Sequence, residues 1–528
     1  MESVTDRLTS FFAARKLDAY LVGGAVRDRL LGRSSERDID LAVAGDAVAL
    51  GEELAGELGG SLAPLSVPRG MMRIALADDG RGQSQIIDIS GFSESIERDL
   101  SRRDFTVNAM AVPLSLLRQA QDDNGNFGEM VIDPHGGRGD LMRKTVRALP
   151  PLEPGWDVFQ DDPGRLLRAV RLAGELGLRI EPDTVRLLAA NSHLLPRVAP
   201  DRVRDEFMRL LAPNGAMGRI QTLDYLGMLQ HVIPELMEAK GVDQPKMHYW
   251  DVWGHSLHTL EAAEGVTGGH QNSPVFSCVP WTPESEAYFA ETVSDGHTRR
   301  TILKLAALFH DVAKPRTKTL EPDGRTRFFG HSEKGAVMAG ERLREMRLSS
   351  RGVSMVSRMV EHHLRPTGMS PASKGDRDEW PTDRAIYRYF RDVGDVALDT
   401  LYLCMADYLG AKGPELAHPE WLNHARMISH VLYTGSREPV SIATPRLVNG
   451  HDLMSHFGLP PGPHIGSLLA TIEEARAAGE IETQEQALEL AALTLKNRDT
   501  SGLDTLDDHR GTPSSIPPLI GGKQGGAV

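Results

Sequence analysis

Nearly all of the strand-like runs in this 528-residue chain lie in its first 150 residues. Ala19-Tyr-Leu-Val22, Ile39-Asp-Leu-Ala-Val43, Met72-Arg-Ile-Ala-Leu76 and Gln85-Ile-Ile-Asp-Ile89 are short and β-rich, with a helical stretch from Ala47 to Leu58 among them. From Asp162 onward the period changes. RLLRAVRLAGELG, DRVRDEFMRLL, TILKLAALFHDVAK and VALDTLYLCMADYLGA set apolar residues three and four apart, the spacing of one buried helix face. Such a chain can build one small sheet and must bury the remainder helix against helix. The predicted architecture is multidomain, an N-terminal α/β (α+β) head followed by all-α segments. The length suffices for several cores at roughly 150 residues each.

Charge runs against nucleic-acid binding as a bulk property. With 59 Lys+Arg against 73 Asp+Glu the net charge is −14, so a polyanion must be met by a local patch. Two cysteines, Cys278 and Cys404, exclude a disulfide framework and a four-thiolate zinc site, and suit a reducing compartment. The N-terminal stretch MESVTDRLTSFFAARK has no apolar h-region, and eighteen apolar residues never run together. A cytoplasmic protein with no membrane partner is expected.

In the head, Tyr20-Leu-Val22 runs into Gly23-Gly24 and then a helical segment, so helix-start N–H groups lie where glycines let a phosphate approach. Asp38 and Asp40 follow on a strand, where positions i and i+2 face one side. Two aligned carboxylates beside such a turn suit Mg²⁺, although solvated residues on an outer strand face would give the same pattern. In Asp99-Leu-Ser-Arg-Arg-Asp-Phe-Thr-Val-Asn108, Arg102 and Arg103 can clamp a triphosphate, and Asp104 and Asn108 can hydrogen-bond a ribose. Asp88 is either a third carboxylate or a strand-end residue.

Further on, Asp161-Asp162-Pro163-Gly164-Arg165-Leu-Leu-Arg168 places Arg165 and Arg168 on one helix face, opposite Leu166, Leu167, Val170 and Ala173. On the residues alone Asp162 is an N-cap. The body carries His255, His310-Asp311, His331, His362-His363 and Asp407 in that order. An apolar helix delivering His310 and Asp311 at its end, among other helices bearing imidazoles, suits a divalent ion. Neighbours on a helix point about 100° apart, so His362 and His363 need not share a metal.

At this point the chain resembles a known family. LVGGAVRDRLLG, RDIDLAV, DLSRRDFTVNAMA, IDPHGGRGDL, DDPGRLLRAVRLAGELGLRIEPDT and DRVRDEFMRLL are similar, in order and spacing, to the motifs of the class II tRNA nucleotidyltransferases, relatives of the bacterial poly(A) polymerases. The resemblance implies a polymerase-β-like catalytic head over 1–150, with Asp38 and Asp40 catalytic and holding Mg²⁺. It implies nucleotide binding by Gly23, Gly24, Arg27, Arg102, Arg103, Asp104 and Asn108. It also implies a helical neck over 151–235, in which Asp161, Asp162, Arg165 and Arg168 read the incoming base. A carboxylate accepts from the exocyclic amine of C or A, which U lacks. Asp161 departs from the pattern, where Glu is usual.

Residues 244–407 resemble the HD phosphohydrolase superfamily. That pattern assigns His255, His310, Asp311 and Asp407 to one metal, with His331 and one or both of His362 and His363 completing a second, and offers Lys314 to a substrate phosphate. An HD domain over 236–425 is expected, then a C-terminal helical segment over 426–499, in which Gly450, Asp452, Gly458 and Gly466 match the family, and a disordered tail over 500–528. Surface loops are expected at 119–129, 265–295 and 370–378. The implied function is addition of CCA to tRNA 3′ ends from CTP and ATP, with a divalent-metal HD phosphohydrolase activity. Alternatives are a poly(A) polymerase, an enzyme adding only CC or only A, and an HD phosphohydrolase with a non-catalytic head. The tRNA acceptor arm is expected to meet a basic surface of Arg165, Arg168, Arg171, Arg202, Arg204 and Arg209.

Overall fold

The computed structural model describes residues 3–33, 38–66, 70–77, 85–117, 127–151, 158–245, 247–268, 273–369, 380–437 and 446–501. The break at 370–378 and residues 502–528 of the expected tail lie outside them. The chain divides into two compact units, Met1–Pro366 with Asp395–Ile428, and Thr367–Gly394 with Ser429–Val528. Thr367–Gly394, grouped above with the HD segment, thus clusters with the C-terminal helices. No helix among the described residues is long and apolar enough to cross a membrane.

The head is one six-stranded sheet in the order β3-β4-β5-β2-β1-β6, built from β1 (Ala19–Val22), β2 (Asp38–Ala44), β3 (Ser61–Ser66), β4 (Met71–Leu76), β5 (Gln85–Phe92) and β6 (Ala111–Pro113). The pairing of β2 with β5 is parallel and the rest are antiparallel. Alternation along β2 buries Ile39 and Leu41 and leaves Asp38 and Asp40 together on the other face. The four strands expected from sequence are present; β3 and β6, which carry prolines, were not foreseen.

The remainder of the first unit is largely helical, with short two-stranded pairings. Two backbone seams attach it to the head. Thr145–Val146 pairs with Arg179–Ile180, and on its other side Thr106 N donates to Arg147 O and Leu149 N to Asp104 O. Farther along, the end of helix Pro200–Leu211 is closed by a wholly buried lysine. Lys304 Nζ donates to the carbonyls of Leu211, Ala212 and Pro213 at 3.0–3.1 Å and pairs with Glu264 Oε1 at 3.1 Å. Glu264 in turn accepts from Gly215 N and Ala216 N, the start of the next helix. One ion pair therefore satisfies the orphan groups of two helix termini. The segment expected as a surface loop at 265–295 contains a helix, Pro283–Ala290, whose Phe289 is buried against Trp281 and Tyr402.

In the second unit, helices Gly450–Phe457 and Pro463–Ala477 close a core of Leu453, Ile465, Leu468 and Ile472. Asn449 and Asp452 form a capping box, and Arg391 and Arg384 pair with Glu474 and Glu480.

Candidate active site and metal centre

The turn after β1 must be glycine. Gly23 has φ +68°, and a Cβ there would lie 3.0 Å from Arg103 Nη1 and 3.2 Å from Asp40 Oδ2. The same contacts put Asp40 and Arg103 directly beside the turn. The parallel register of β2 and β5 sets Asp40 opposite Asp88, and β4 sets Arg73 opposite Asp88. Asp88 is therefore a mid-strand residue alongside the pair, not a strand end, and Arg73 grips it through two bonds of 2.7 and 2.8 Å. Burial pushes the Asp40 carboxyl up; Arg103 opposes this, while Asp88 and Asp38 add to it. A carboxyl whose ionisation is held back by burial and by two like charges is a donor that a hard divalent cation relieves, so these residues fit Mg²⁺.

A polar chain leads from here toward the neck. Arg27 donates to both oxygens of Asp28 and, through Nη1, to Asn108 Oδ1 at 2.7 Å. Asn108 Nδ2 donates to Asp104 Oδ1, which also accepts from Phe105 N, and Arg168 Nη1 reaches Asp104 Oδ2 at 3.3 Å. Asp104 is buried with both oxygens engaged. It is thereby tied to Asn108 on one side and Arg168 on the other. Arg103 pairs with Asp99 at 3.0 Å, and Arg102 stays exposed beside Glu94.

Helix Arg165–Leu176 begins two residues later than an Asp162 cap requires. Its N-cap is Gly164, and Asp162 Oδ1 accepts from Gly164 N in the preceding turn. Arg165 is buried. Its guanidinium donates to the carbonyls of Arg102 (3.0 Å), Arg103 (3.3 Å) and Val158 (3.2 Å), with Asp161 Oδ2 3.6 Å away. Asp162 is held by Arg202 Nη2 at 3.0 and 3.1 Å. Arg168 and Arg171 share Glu206, an acid that sequence reasoning passed over although it stands within the DRVRDEF motif. The expected basic surface is thus not formed by the six arginines named for it. Arg165 and Arg171 are buried, Arg168 and Arg204 are half-buried and ion-paired, and only Arg202 and Arg209 are exposed. Backbone carbonyls hold Arg165, and carboxylates hold Arg168 and Arg171.

In the helical body four ligand atoms converge. His255 Nε2 and His310 Nε2 are 2.9 Å apart; Asp311 Oδ2 lies 3.2 and 3.1 Å from them, and Asp407 Oδ1 3.0 and 3.5 Å. Ligands bound about 2.1 Å from one ion stand roughly 3.0–3.4 Å apart, so this spacing fits a shared metal. Asp311 Oδ1 turns to a second group, 3.4 Å from His331 Nε2 and 3.7 Å from His363 Nε2. His310, His331 and His363 each hydrogen-bond a backbone carbonyl through Nδ1, at Ala307, Phe328 and Val360. That contact leaves Nε2 as the lone-pair donor. Asp311 Oδ1, His331 Nε2 and His363 Nε2 are buried and make no hydrogen bond among the described residues. Of the adjacent histidines the second, His363, enters the cluster; His362 belongs to neither group.

Burial disfavours charge on His310, yet Asp311 and Asp407 raise it to about 10, whereas burial and His310 push His363 down to about 4. Lys314 Nζ sits 2.6 Å from Asp311 Oδ2 and donates to Gln244. His248, not singled out from sequence, lies edge-on to His255 with ring centroids 5.2 Å apart. Its place seven residues before His255 in MHYWDVWGHS was the only signal.

Residues 19–147 match the model of the poly A polymerase head domain and 177–240 that of a probable RNA and SrmB-binding site of polymerase A. Residues 252–411 match the HD domain, and 439–492 a putative domain 2 of tRNA nucleotidyltransferases. The chain is 33% identical over 477 residues to an A-adding tRNA nucleotidyltransferase of Deinococcus radiodurans, covering 89% of this chain and 94% of that one. It is 32% identical over 480 residues to a CC-adding tRNA nucleotidyltransferase of Thermus thermophilus, covering 89% and 92%. Among solved structures, the fold is shared with a Thermotoga maritima CCA-adding enzyme complexed with tRNA (TM-score 0.55, 21% identity, 93% of this chain and 95% of that one). It is likewise shared with a CCA-adding enzyme complexed with ATP (TM-score 0.57, 21% identity, 96% and 95%).

Proposed function

Since the chain belongs to the tRNA nucleotidyltransferase family and is an enzyme, we propose that it extends tRNA 3′ ends from CTP and ATP, selecting the base with Asp162 and Arg165. The observation that carries this is the bonding of Arg165 to the carbonyls of Arg102 and Arg103. It ties the base-reading turn to the loop whose Arg103 side chain lies beside Asp40. Asp38 and Asp40 would hold Mg²⁺, which when bound supplies charge neutralisation for the attacking hydroxyl and the departing pyrophosphate. Arg102, Arg103 and Arg27 offset the triphosphate, and Asn108 is fixed by Asp104 and Arg27 to meet the sugar. The buried Asp162 carboxylate accepts from an exocyclic amine, favouring C and A over U.

A restricted reaction is a second reading, supported by relatives named A-adding and CC-adding that match over nine-tenths of their own lengths. The HD cluster supports hydrolysis of phosphate esters, with His255, His310, Asp311 and Asp407 around one divalent ion and Asp311, His331 and His363 around another. Labelled CTP and ATP, given separately and together with Mg²⁺ to tRNA transcripts ending before CCA, before the second C or before A, test the assignment. Addition stopping at CCA is expected; a stop after CC, or A addition alone, selects the restricted enzyme. Unlimited A addition to any RNA makes it a poly(A) polymerase. Retained phosphatase activity without incorporation overturns the proposal.

A further inference from the structure

The Asp162 side chain is only 9% exposed, and a single nitrogen, Nη2 of Arg202, lies across both its oxygens at 3.0 and 3.1 Å. That nitrogen occupies the edge at which an exocyclic amine would donate. Arg202 is by contrast 48% exposed, and this is its one ion pair among the described residues. Gly164 makes room for it. A Cβ at Gly164 would come within 2.8 Å of Arg202 Nη2 and 3.2 Å of Asp162 Oδ1. Yet the Gly164 backbone, at φ −61° and ψ −22°, is one that any residue adopts. The glycine serves the guanidinium, not the turn.

We propose that Arg202 is a gate on Asp162 and sets the enzyme's affinity for the incoming nucleotide, an inference that rests on Asp162 reading the incoming base. A buried carboxylate is costly to leave without a donor. Beside the Gly164 N–H on Oδ1, Arg202 supplies the charged donor while the pocket waits. An amine of cytosine or adenine can take its place, so Asp162 stays paired and the guanidinium returns to water. Uracil presents a carbonyl oxygen on that edge and cannot make the exchange. Breaking the resting ion pair is a cost common to every base, and an amino base alone recovers it at Asp162.

The test is steady-state incorporation of CTP, ATP and UTP by the full chain carrying Arg202→Gln, Gly164→Ala or Asp162→Asn. Arg202→Gln removes the gate, and Gly164→Ala pushes it aside while keeping its charge. Both are expected to lower KM for the accepted nucleotide roughly three- to tenfold with kcat within about twofold, and to leave UTP relative to CTP in kcat/KM within about twofold of the wild type, because the ion pair belongs to the free enzyme that both nucleotides meet. Combined with Asp162→Asn, Arg202→Gln should add nothing. A raised KM in Arg202→Gln, which would make Arg202 a direct nucleotide ligand, or unchanged constants in both single variants, overturns the gate. If Asp162→Asn keeps wild-type selectivity, the base-reading assignment itself falls. If it loses selectivity while Arg202→Gln and Gly164→Ala match the wild type, only the gate falls.

Discussion

Adding Mn²⁺ to the chelated protein is expected to raise its melting temperature, and the HD cluster sets both the size and the residue dependence of the effect. Asp311 Oδ1, His331 Nε2 and His363 Nε2 are buried without a hydrogen bond among the described residues. Each such atom costs about 1–3 kcal/mol, which a bound ion recovers as affinity. At a free ion concentration of 100 times Kd the folded state gains about 2.7 kcal/mol. At roughly 2–4 °C per kcal/mol for a domain of this size, that is a rise of about 5–11 °C. His363→Ala deletes a converging ligand and should cut the rise to below half at the same Mn²⁺ concentration, and Asp311→Asn, which faces both groups, should abolish it. His362→Ala should leave it intact. The assay is differential scanning calorimetry in EDTA and in Mn²⁺, with bound metal counted by elemental analysis. Equal melting in both media, or loss of the rise in His362→Ala, would refute the reasoning.

Three further outcomes are expected. Asp38→Asn and Asp40→Asn should each lower nucleotide incorporation by about a thousandfold or more while hydrolysis of a model phosphate ester at the HD site is unchanged, and parallel assays on one preparation check this. Burial alone would raise Asp104 and Glu206, but Arg168, with Arg165 and Arg171, holds both below the usual carboxylate range. Their stabilisation is therefore complete above the ordinary values of 3.8 and 4.5 and is lost as pH falls through the depressed ones. Urea midpoints measured from pH 7 downward should drop steeply below those values, and Glu206→Gln should flatten the drop. Lys304→Met should destabilise the first unit by about 3–5 kcal/mol because it strands Glu264, and Lys304→Met with Glu264→Gln should recover part of that loss in urea titrations.

The head was legible because its chemistry sits on local geometry. Alternation along β2 puts Asp38 and Asp40 on one face whatever the neighbours do, and the glycine turn marks itself. Asp88 was ambiguous for the opposite reason, since its place beside Asp40 depends on a parallel register between strands more than forty residues apart in the chain. The neck misled in one respect. An arginine-rich helix looks like a surface for RNA until Glu206, Asp104 and Glu175 arrive from other turns and bury its cations. The histidine order announced the cluster of metal-competent side chains, while the choice between His362 and His363 needed the helix phase that only packing fixes. Arg202 was visible only as a neck cation. That it lies over Asp162 follows from two helices whose contact no local pattern encodes.

The short segment 144–149 bonds the head through Arg147 O and Leu149 N and the neck through the carbonyls of Lys144 and Val146. The carboxylates proposed to act on phosphate and the turn proposed to meet the base are thereby mounted on two jaws of one calliper whose opening is set by backbone bonds. Such an instrument measures length before it reads identity. On the proposed reading, a nucleotide would be accepted when the span from its phosphates to its base edge equals the gap, so a sugar or triphosphate of altered reach would be refused whatever base it carries.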